Sequence, residues 1–381
     1  MMCPKQELNK KKTLTFSLIL LLIPVVTLVF IYIGYTVYRS VELYSYIKSN
    51  QRGWTGTVMK ADAELGFAPI PNSHGAEIFP VGPDLPLCFD ENGFRSPLGN
   101  TNATKNQKPV VLVLGCSFTY GAAVYAKDAY PYLVGQALGG ITKNAGCSSC
   151  GLSQMLILAR RLIPTHKPDY VVLQYSPWLV DRALDPFAPS FFGKAPTAYF
   201  YEDDGVTLHP PVFLTKLMDL PIDRYRNSPE SVTDFISLLW NVGLPLLLYD
   251  DFHMSRYLLK STFGLIPKPA SNESNIASYV YEEIAALARE ENAQLVIVVL
   301  GKNHKPVETP HHLLPADATI VEAHSVLLER LPIVDKENYR KNYAHWRGSP
   351  PRIVDIHPNE KAHKIIAEEI VLKITSSTET Q

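Results

Sequence analysis

The sequence predicts an α/β protein with three layers, in which helices cover both faces of a doubly wound, mostly parallel sheet. Short apolar runs without polar alternation are typical of strands that are buried on both faces. These runs alternate with helical patterns along the chain, which favours a parallel sheet whose ligands gather at the carboxyl ends of its strands. With 381 residues, 46% of them hydrophobic, the chain can form one large domain with an insertion.

The first element is a basic tail, residues 1–12, followed by a predicted transmembrane anchor over residues 13–38. The anchor contains no charged residue and is long enough to cross a hydrocarbon core of ~30 Å. A cleaved signal peptide is the alternative, but the apolar stretch is longer than the usual apolar core of ~7–15 residues. It also ends without a small-residue cleavage site.

The charges that flank this segment predict its orientation. Four lysines precede it, and one arginine follows closely: Lys5, Lys10, Lys11, Lys12 and Arg39. By the positive-inside rule, the N-terminus is cytoplasmic and residues 39–381 are extracytoplasmic, either periplasmic or at the cell surface.

Residues 39–107 are predicted to form a stalk followed by a cover of strands and turns, because Pro and Gly recur among short apolar pieces. The main α/β domain is expected over residues 108–375, with an insertion at 183–275 and a short tail at 376–381. The insertion contains an apolar stretch, 235–249, for which a buried helix or an interfacial patch is favoured over a second crossing. The predicted strands and helices of the domain are 109–114, 130–138, 141–146, 153–163, 170–174, 276–292, 295–300, 316–330, 333–334 and 359–374.

Composition argues against several classes of function. The 36 basic and 37 acidic side chains leave a net charge of −1 and no basic stripe, so nucleic acid is not an expected partner. No pattern of Cys and His completes a metal site, and we expect neither a metal nor an organic cofactor. The pair Cys147 and Cys150 favours small residues packed near the active-site floor, with a disulfide as the alternative in an exported domain.

A candidate nucleophile follows the first strand of the domain. Residues 111–121 run from an apolar strand into a small-residue turn that carries Ser117 between Gly115 and Gly121. Glycine allows a sharp turn that a Cβ would obstruct. Serine at this point also fits a simple helix cap. Asp355 and His357, just before the last helix, favour a catalytic role for Ser117, because an imidazole and a carboxylate activate a serine hydroxyl.

These blocks resemble the SGNH (GDSL-like) hydrolase superfamily, and within it a membrane-anchored bacterial branch, over about residues 108–375. Gly115-Cys116-Ser117 matches the first block, with Cys in place of the usual Asp. Asp355, His357, Pro358 and Asn359 match the terminal block, although two positions rather than three separate Asp from His. The resemblance implies a flavodoxin-like sheet, Ser117 as nucleophile, His357 as base and Asp355 as the residue that orients the base.

The resemblance also indicates where the oxyanion hole would lie. The backbone N–H groups of Ser117, Gly146 and Ser149 are the candidate donors, with Ser149 where the family has glycine. The asparagine of the third block is missing, and Gln174, Ser176 or the Trp178 indole is expected to substitute for it.

The sequence thus predicts a membrane-anchored serine esterase that acts on O-acyl esters, such as those of envelope carbohydrate, through an acyl-enzyme. Its expected partners are the membrane, through residues 13–38, and an acylated small molecule or carbohydrate. The alternatives are an O-acyltransferase and a catalytically weak, glycan-binding SGNH domain within an envelope-assembly complex.

Overall fold

A computed structural model describes residues 4–49, 53–98, 107–190, 193–202, 206–216, 218, 225–226, 228–266 and 273–378. Its strands, in chain order, are β1 (Gly53–Thr55), β2 (Met59–Asp62), β3 (Gly66–Pro69), β4 (His74–Ile78), β5 (Leu85–Cys88), β6 (Val110–Leu114), β7 (Ile141–Asn144), β8 (Tyr170–Tyr175), β9 (Phe187–Ser190), β10 (Gly193–Pro196), β11 (Tyr199–Glu202), β12 (Val206–His209), β13 (Gln294–Val299), β14 (Thr319–Val321), β15 (His345–Arg347) and β16 (Arg352–Asp355).

The described helices are α1 (Pro4–Lys48), α2 (Ser117–Tyr120), α3 (Tyr130–Ala137), α4 (Leu152–His166), α5 (Trp178–Leu184), α6 (Val232–Leu238), α7 (Leu244–Leu246), α8 (Phe252–Thr262), α9 (Glu273–Glu290), α10 (Ala323–Glu329), α11 (Lys336–Tyr343) and α12 (Glu360–Thr378).

The central sheet confirms the predicted fold class. Its five strands are all parallel and lie in the order β14-β13-β8-β6-β7, which is the flavodoxin-like order 2-1-3-4-5. Helices α3 and α12 pack together on one face, and α4 and α9 pack together on the other. The chain reverses its strand order between β6 and β8, so the carboxyl end of β6 is where a ligand site is expected.

The fifth strand of the sheet differs from the prediction. It is Thr319–Val321, which pairs with β13, whereas Ile333 and Val334 are 63% and 51% exposed and form no strand. The predicted helix over 316–330 is correspondingly shortened to α10, because the β-branched run Thr-Ile-Val extends along the sheet edge before the helix starts.

The residues before the domain form a cover of small antiparallel sheets. Strands β1, β4 and β5 make a three-stranded sheet, and β2 pairs with β3. Buried side chains of the cover pack against Tyr120 and Ala122, which follow the nucleophile turn. The cover therefore contacts the part of the domain that carries Ser117.

Two helices of the described chain, α1 and the helical segment Val232–Thr262, are long and apolar enough to cross a membrane. Pro24 lies within α1, which continues past the predicted anchor to Lys48. Side chains of the apolar stretch in α1 are almost all exposed, as expected of a segment that a bilayer surrounds.

The segment Val232–Thr262 corrects the expectation of a buried helix at 235–249. It is helical throughout, with π-helical stretches at Leu239–Gly243 and Leu247–Asp251, but Trp240 is 71% exposed. The segment packs against α1: Lys48 Nζ lies 3.1 Å from an Asp234 carboxylate oxygen, and the Tyr44 and Phe235 rings are 5.6 Å apart. An exposed apolar helix beside a candidate membrane span agrees with the interfacial alternative.

Candidate active site

Ser117 lies on a tight turn at the carboxyl end of β6. Gly115 links this buried strand to α2, and Ser117 is the first residue of that helix. A Cβ on Gly115 would lie 2.0 Å from Thr119 Oγ1 and 2.6 Å from Gln174 Oε1, so no larger residue fits there. Gly121 ends α2 with φ of 80°, a left-handed conformation that suits glycine. Both glycines are thus needed to present Ser117 at the sheet edge.

The structure brings the three residues of the predicted triad together. The Ser117 Oγ to His357 Nε2 distance is 2.9 Å, and the His357 Nδ1 to Asp355 Oδ1 distance is 2.7 Å. Asp355 and Ser117 are buried, while the His357 side chain is 22% exposed and reachable from solvent. Because Asp355 accepts the Nδ1 proton, Nε2 is left as an acceptor for the Ser117 hydroxyl.

The short spacing between Asp355 and His357 has a local explanation. Asp355 is the last residue of β16, and its Oδ1 accepts the backbone N–H of His357 at 2.6 Å as well as the ring Nδ1–H. The carboxylate therefore closes a small turn with the residue two positions on. The turn places the imidazole of His357 against the Asp355 carboxylate. A spacing of two positions between these residues therefore still allows the triad to form.

The missing third-block asparagine is not replaced by Gln174 or Ser176. Gln174 is fully buried behind the nucleophile turn, where its Oε1 accepts from Cys116 N at 3.0 Å and Thr119 Oγ1 at 2.8 Å. Its Nε2 donates to Ser176 Oγ at 2.8 Å, and Ser176 Oγ donates to Leu300 O at 2.7 Å. Both side chains hold strand ends together and have no donor left for a substrate.

Trp178 keeps a donor that could serve the site. Its ring centroid lies 5.3 Å from that of Phe118, whose ring is 5.4 Å from that of His357. The half-buried Trp178 indole makes no hydrogen bond with the described part of the chain. Of the three side chains expected to substitute for the asparagine, Trp178 alone retains a donor without a partner among these residues.

The two candidate backbone donors of the second block, the N–H groups of Gly146 and Ser149, differ in whether they are already engaged. Gly146 N–H donates to Asn144 Oδ1 at 3.0 Å, so this group is already engaged and does not face an oxyanion. A Cβ on Gly146 would lie 2.2 Å from Tyr120 N, which explains the glycine by close packing against α2. Ser149 adopts φ of 66°, the left-handed conformation that glycine usually supplies, and its N–H has no partner among the described residues.

Sequence reasoning missed the contribution of Arg95, which comes from the cover. Its buried guanidinium donates to the carbonyl oxygens of Tyr120 and Val124 at 2.6 and 2.7 Å, and also to that of Gly121. It stacks on the Tyr120 ring with its central carbon 4.3 Å from the ring centroid. The run of Pro, Gly and Asp around Arg95 gave a turn signal, but nothing in the sequence showed that this arginine is buried.

The cysteines near the site also differ from the favoured interpretation. Cys147 and Cys150 form a disulfide, with Cα atoms 5.5 Å apart. Both are buried within the cluster that joins the cover to the nucleophile turn, so the expected packing is present as well. The bond agrees with the alternative of a disulfide in an exported domain.

His363, on α12 behind the triad, is fully buried and takes no part in it. Its Nδ1 accepts the backbone N–H of Tyr130 at 3.2 Å, and its ring stacks on that of Tyr130. Burial, together with the positive charges of His345, Arg95 and His357, lowers the pKa of His363 to about 3. The imidazole is therefore a neutral acceptor for the first turn of α3.

The arrangement can carry out nucleophilic acyl transfer. His357 removes the Ser117 proton as the hydroxyl attacks a carbonyl, and Asp355 stabilises the imidazolium that forms. The N–H of Ser117, at the start of a helix, can donate to the developing oxyanion. Among the described residues, no cluster of His, Cys, Asp or Glu is arranged to hold a metal ion.

Comparisons with known proteins give similarity to esterases and lipases at low superposition scores. No protein-family model matches the chain. No curated protein matches it either. Among solved structures, the chain is similar to a lipolytic protein of the G-D-S-L family from Desulfitobacterium hafniense, with 11% identity, a TM-score of 0.32, and 70% of this chain and 99% of that chain covered. It is similar to TesA, with 12% identity, a TM-score of 0.32, and 70% and 98% covered.

A third similar structure is an acetyl xylan esterase from Geobacillus stearothermophilus, with 13% identity, a TM-score of 0.36, and 71% of this chain and 97% of that chain covered. Superpositions with TM-scores this low support no conclusion about the chain. The resemblance to a superfamily therefore depends on the chain's own residues. In strand order, in its first and terminal blocks and in the assembled triad, the chain resembles the SGNH (GDSL-like) hydrolase superfamily over residues 108–375.

Proposed function

We propose that the chain is a membrane-anchored, extracytoplasmic serine esterase that cleaves O-acyl esters, such as those of envelope carbohydrate. The observation that carries this proposal is the continuous hydrogen-bond chain from Asp355 through His357 to Ser117, at 2.7 and 2.9 Å. A serine that merely caps a helix has no need of an imidazole and a buried carboxylate in line with its hydroxyl.

The proposed reaction has two steps. In the first, Ser117 Oγ attacks the ester carbonyl, His357 passes the proton to the leaving alcohol, and an acyl-enzyme forms. In the second, water donates a proton to His357 Nε2 and attacks the acyl group, and His357 returns this proton to Ser117 Oγ as the acid leaves. The N–H groups of Ser117 and Ser149 and the Trp178 indole are the candidate oxyanion donors.

The esterase proposal is tested with the full chain in neutral detergent. We expect a fluorophosphonate probe to modify Ser117 of the native protein, and 4-nitrophenyl acetate to be hydrolysed. Both reactions should be lost in Ser117→Ala and retained in Ser148→Ala, a control serine in the neighbouring loop. Hydrolysis that persists in Ser117→Ala, or a native protein that is neither labelled nor active, would contradict the proposal.

The weak glycan-binding domain remains a second candidate because Gln174 and Ser176, two of the three expected substitutes for the missing asparagine, are engaged elsewhere. It predicts glycan binding without Ser117-dependent turnover, which the same experiment separates from catalysis. An acyltransferase would instead move the acyl group from the Ser117 ester to an added sugar hydroxyl, which product analysis detects.

The proposed location is supported by the apolar α1 and by the lysines before it, and it needs its own test. We expect a protease added to intact cells or spheroplasts to cleave residues after 39 and to leave an N-terminal tag protected. The reverse pattern of protection would overturn the orientation. Release of the whole protein from membranes by high salt would overturn the anchor.

A further inference from the structure

A cavity of about 330 Å³ has several basic side chains in its lining. We call it the basic pocket; its members used here are Lys302, His304, Lys336, Arg340 and Ile356. Ile356 lies between Asp355 and His357 in the chain. The lining thus includes the residue that joins the proposed base to its carboxylate.

The fold brings these side chains together from two loops and a helix. Lys302 and His304 follow β13 at the carboxyl edge of the central sheet, and Lys336 and Arg340 occupy positions i and i+4 on one face of α11. Lys302 Nζ lies 5.6 Å from the centroid of the Trp178 ring, which itself contacts Phe118 in the triad region. A chain of ring contacts through Trp178 and Phe118 thus connects Lys302 of the pocket to His357.

Three cations of the pocket have no acidic partners among the described residues. Several basic side chains elsewhere on the domain surface are paired, as Arg160 is with Glu283, Arg289 with Asp317 and Arg330 with Glu368. Lys302, Lys336 and Arg340 make no such pair in the part of the chain that the structure describes. In a chain of net charge −1, this leaves a local excess of positive charge at a concave site.

The carboxylate of Asp335, which precedes Lys336 in the chain, is used by α11. It accepts from the backbone N–H and the side-chain amide of Asn338 at 2.7 and 3.0 Å, as the N-cap of the helix. His304 is close enough to Asp335 to lower its pKa, after the larger effect of the Asn338 hydrogen bonds. The Nδ1 of His304 is buried and has no hydrogen-bond partner in the described structure. A ring nitrogen without a hydrogen-bond partner is therefore left over at the pocket as well as charge.

We infer that the basic pocket binds an anionic group, a carboxylate or a phosphate, carried by the acylated substrate. Arginine and lysine side chains recognise both groups through charge-assisted hydrogen bonds. This inference rests on the proposed function, because it assumes that the ester of the same molecule lies at Ser117. It narrows the substrate class from neutral esters to acylated anionic carbohydrates or phosphorylated alcohols.

The test compares matched substrates on the full chain in neutral detergent. The carboxylate pair is O-acetylated oligogalacturonate and its methyl-esterified, neutral form; the phosphate pair is O-acetylated glucose 6-phosphate and O-acetylated glucose. Acetate release is measured for each. We expect kcat/KM to be about tenfold higher for the anionic member of at least one pair, a preference of ~1.4 kcal/mol that should fall as salt is raised.

The variants Lys336→Gln and Arg340→Gln should raise KM for the anionic substrate and leave kcat on 4-nitrophenyl acetate unchanged. The matched control is Lys341→Gln, an exposed lysine on the same helix that does not line the pocket. The preferred pair identifies the anion as a carboxylate or a phosphate. Equal kcat/KM within both pairs, or a preference that survives in Lys336→Gln/Arg340→Gln, would overturn the inference.

A binding measurement makes the test independent of catalysis. Calorimetric titration of Ser117→Ala with unacetylated oligogalacturonate and with glucose 6-phosphate should show binding that weakens with salt and is lost in the double pocket variant. If native protein cleaves 4-nitrophenyl acetate but Ser117→Ala binds neither anion, the pocket inference fails and the esterase proposal stands. If Ser117→Ala binds an anion but native protein has no activity, the esterase proposal fails and the pocket remains.

Discussion

The guanidinium of Arg95 donates to the main-chain carbonyl of Val124 at 2.7 Å, which ties the N-terminal cover to the segment after the nucleophile helix. The same side chain donates to Tyr120 O at 2.6 Å and to Gly121 O, and these residues end the turn that begins at Ser117. A single buried cation thus binds carbonyl oxygens at the end of α2 and just after it. The position of Ser117 therefore depends on a residue outside the catalytic domain.

We expect Arg95→Lys to destabilise the protein and to reduce turnover. Lysine keeps the charge but cannot donate from one planar group to carbonyls on successive residues, so the expected loss is ~1–3 kcal/mol of unfolding free energy. The measurement is thermal unfolding together with kcat on 4-nitrophenyl acetate. Arg160→Lys, an exposed arginine paired with Glu283, is the control and should change neither. A stable Arg95→Lys protein with native kcat would refute this positioning role.

Asp355 supports a second prediction, that Asp355→Asn lowers kcat by ~10³–10⁴ with little loss of structure. An amide at this position can still meet the backbone N–H of His357, but it no longer stabilises the imidazolium or fixes the Nδ1–H tautomer. Single-turnover hydrolysis and a thermal melt measure the two effects separately. A fall in stability that matches the fall in activity would show that Asp355 acts only as a turn residue.

The three triad candidates could be named from the sequence because each lies in a recognisable local pattern. Ser117 follows the buried run that forms β6, and Asp355 and His357 directly precede α12. Their contact was implied by the resemblance and not by the topology of the central sheet, since β16 pairs with β15 outside that sheet. Strand β14 was misplaced because a three-residue edge strand carries too little pattern to distinguish it from the exposed Ile333-Val334 pair.

Long-range contacts were outside the reach of the sequence for a different reason. The burial of Arg95 depends on which surface the cover packs against. The position of Gln174 behind the nucleophile depends in the same way on what packs against β8. The basic pocket likewise needs α11 to lie beside the loop after β13. No local periodicity encodes such a meeting of distant segments.

Trp178→Phe tests the replacement for the missing oxyanion donor. Phenylalanine keeps an aromatic ring beside Phe118 and Lys302, and it removes the indole N–H together with one of the two fused rings. If the indole donates to the oxyanion, kcat should fall by ~10²–10³ while KM for 4-nitrophenyl acetate changes little. Trp346→Phe, which makes the same exchange at an indole that donates to Arg340 O, is the matched control. Native kcat in Trp178→Phe would leave the backbone N–H groups of Ser117 and Ser149 as the donors.

The lowered pKa of His363 predicts how the free energy of unfolding depends on pH. Its pKa is lowered from 6.5 to about 3 in the folded protein, so the unfolded chain binds the extra proton first as the pH falls. The contribution of neutral His363 is fully present above pH 6.5 and is lost progressively between pH 6.5 and about 3. At pH 4.5 the loss should be on the order of 2 kcal/mol, or a few degrees in Tm.

The variant His363→Asn isolates this effect, because its side-chain oxygen can still accept the Tyr130 N–H but does not titrate. We expect the variant to be less stable than the native protein at pH 7.5, since it loses the ring stacking on Tyr130. Between pH 7.5 and 4.5, however, its Tm should fall by several degrees less than that of the native protein. His324, which is also buried with a lowered pKa, remains in both proteins and accounts for part of the decrease they share. Parallel Tm curves for the two proteins over this range would show that His363 does not resist protonation in the fold.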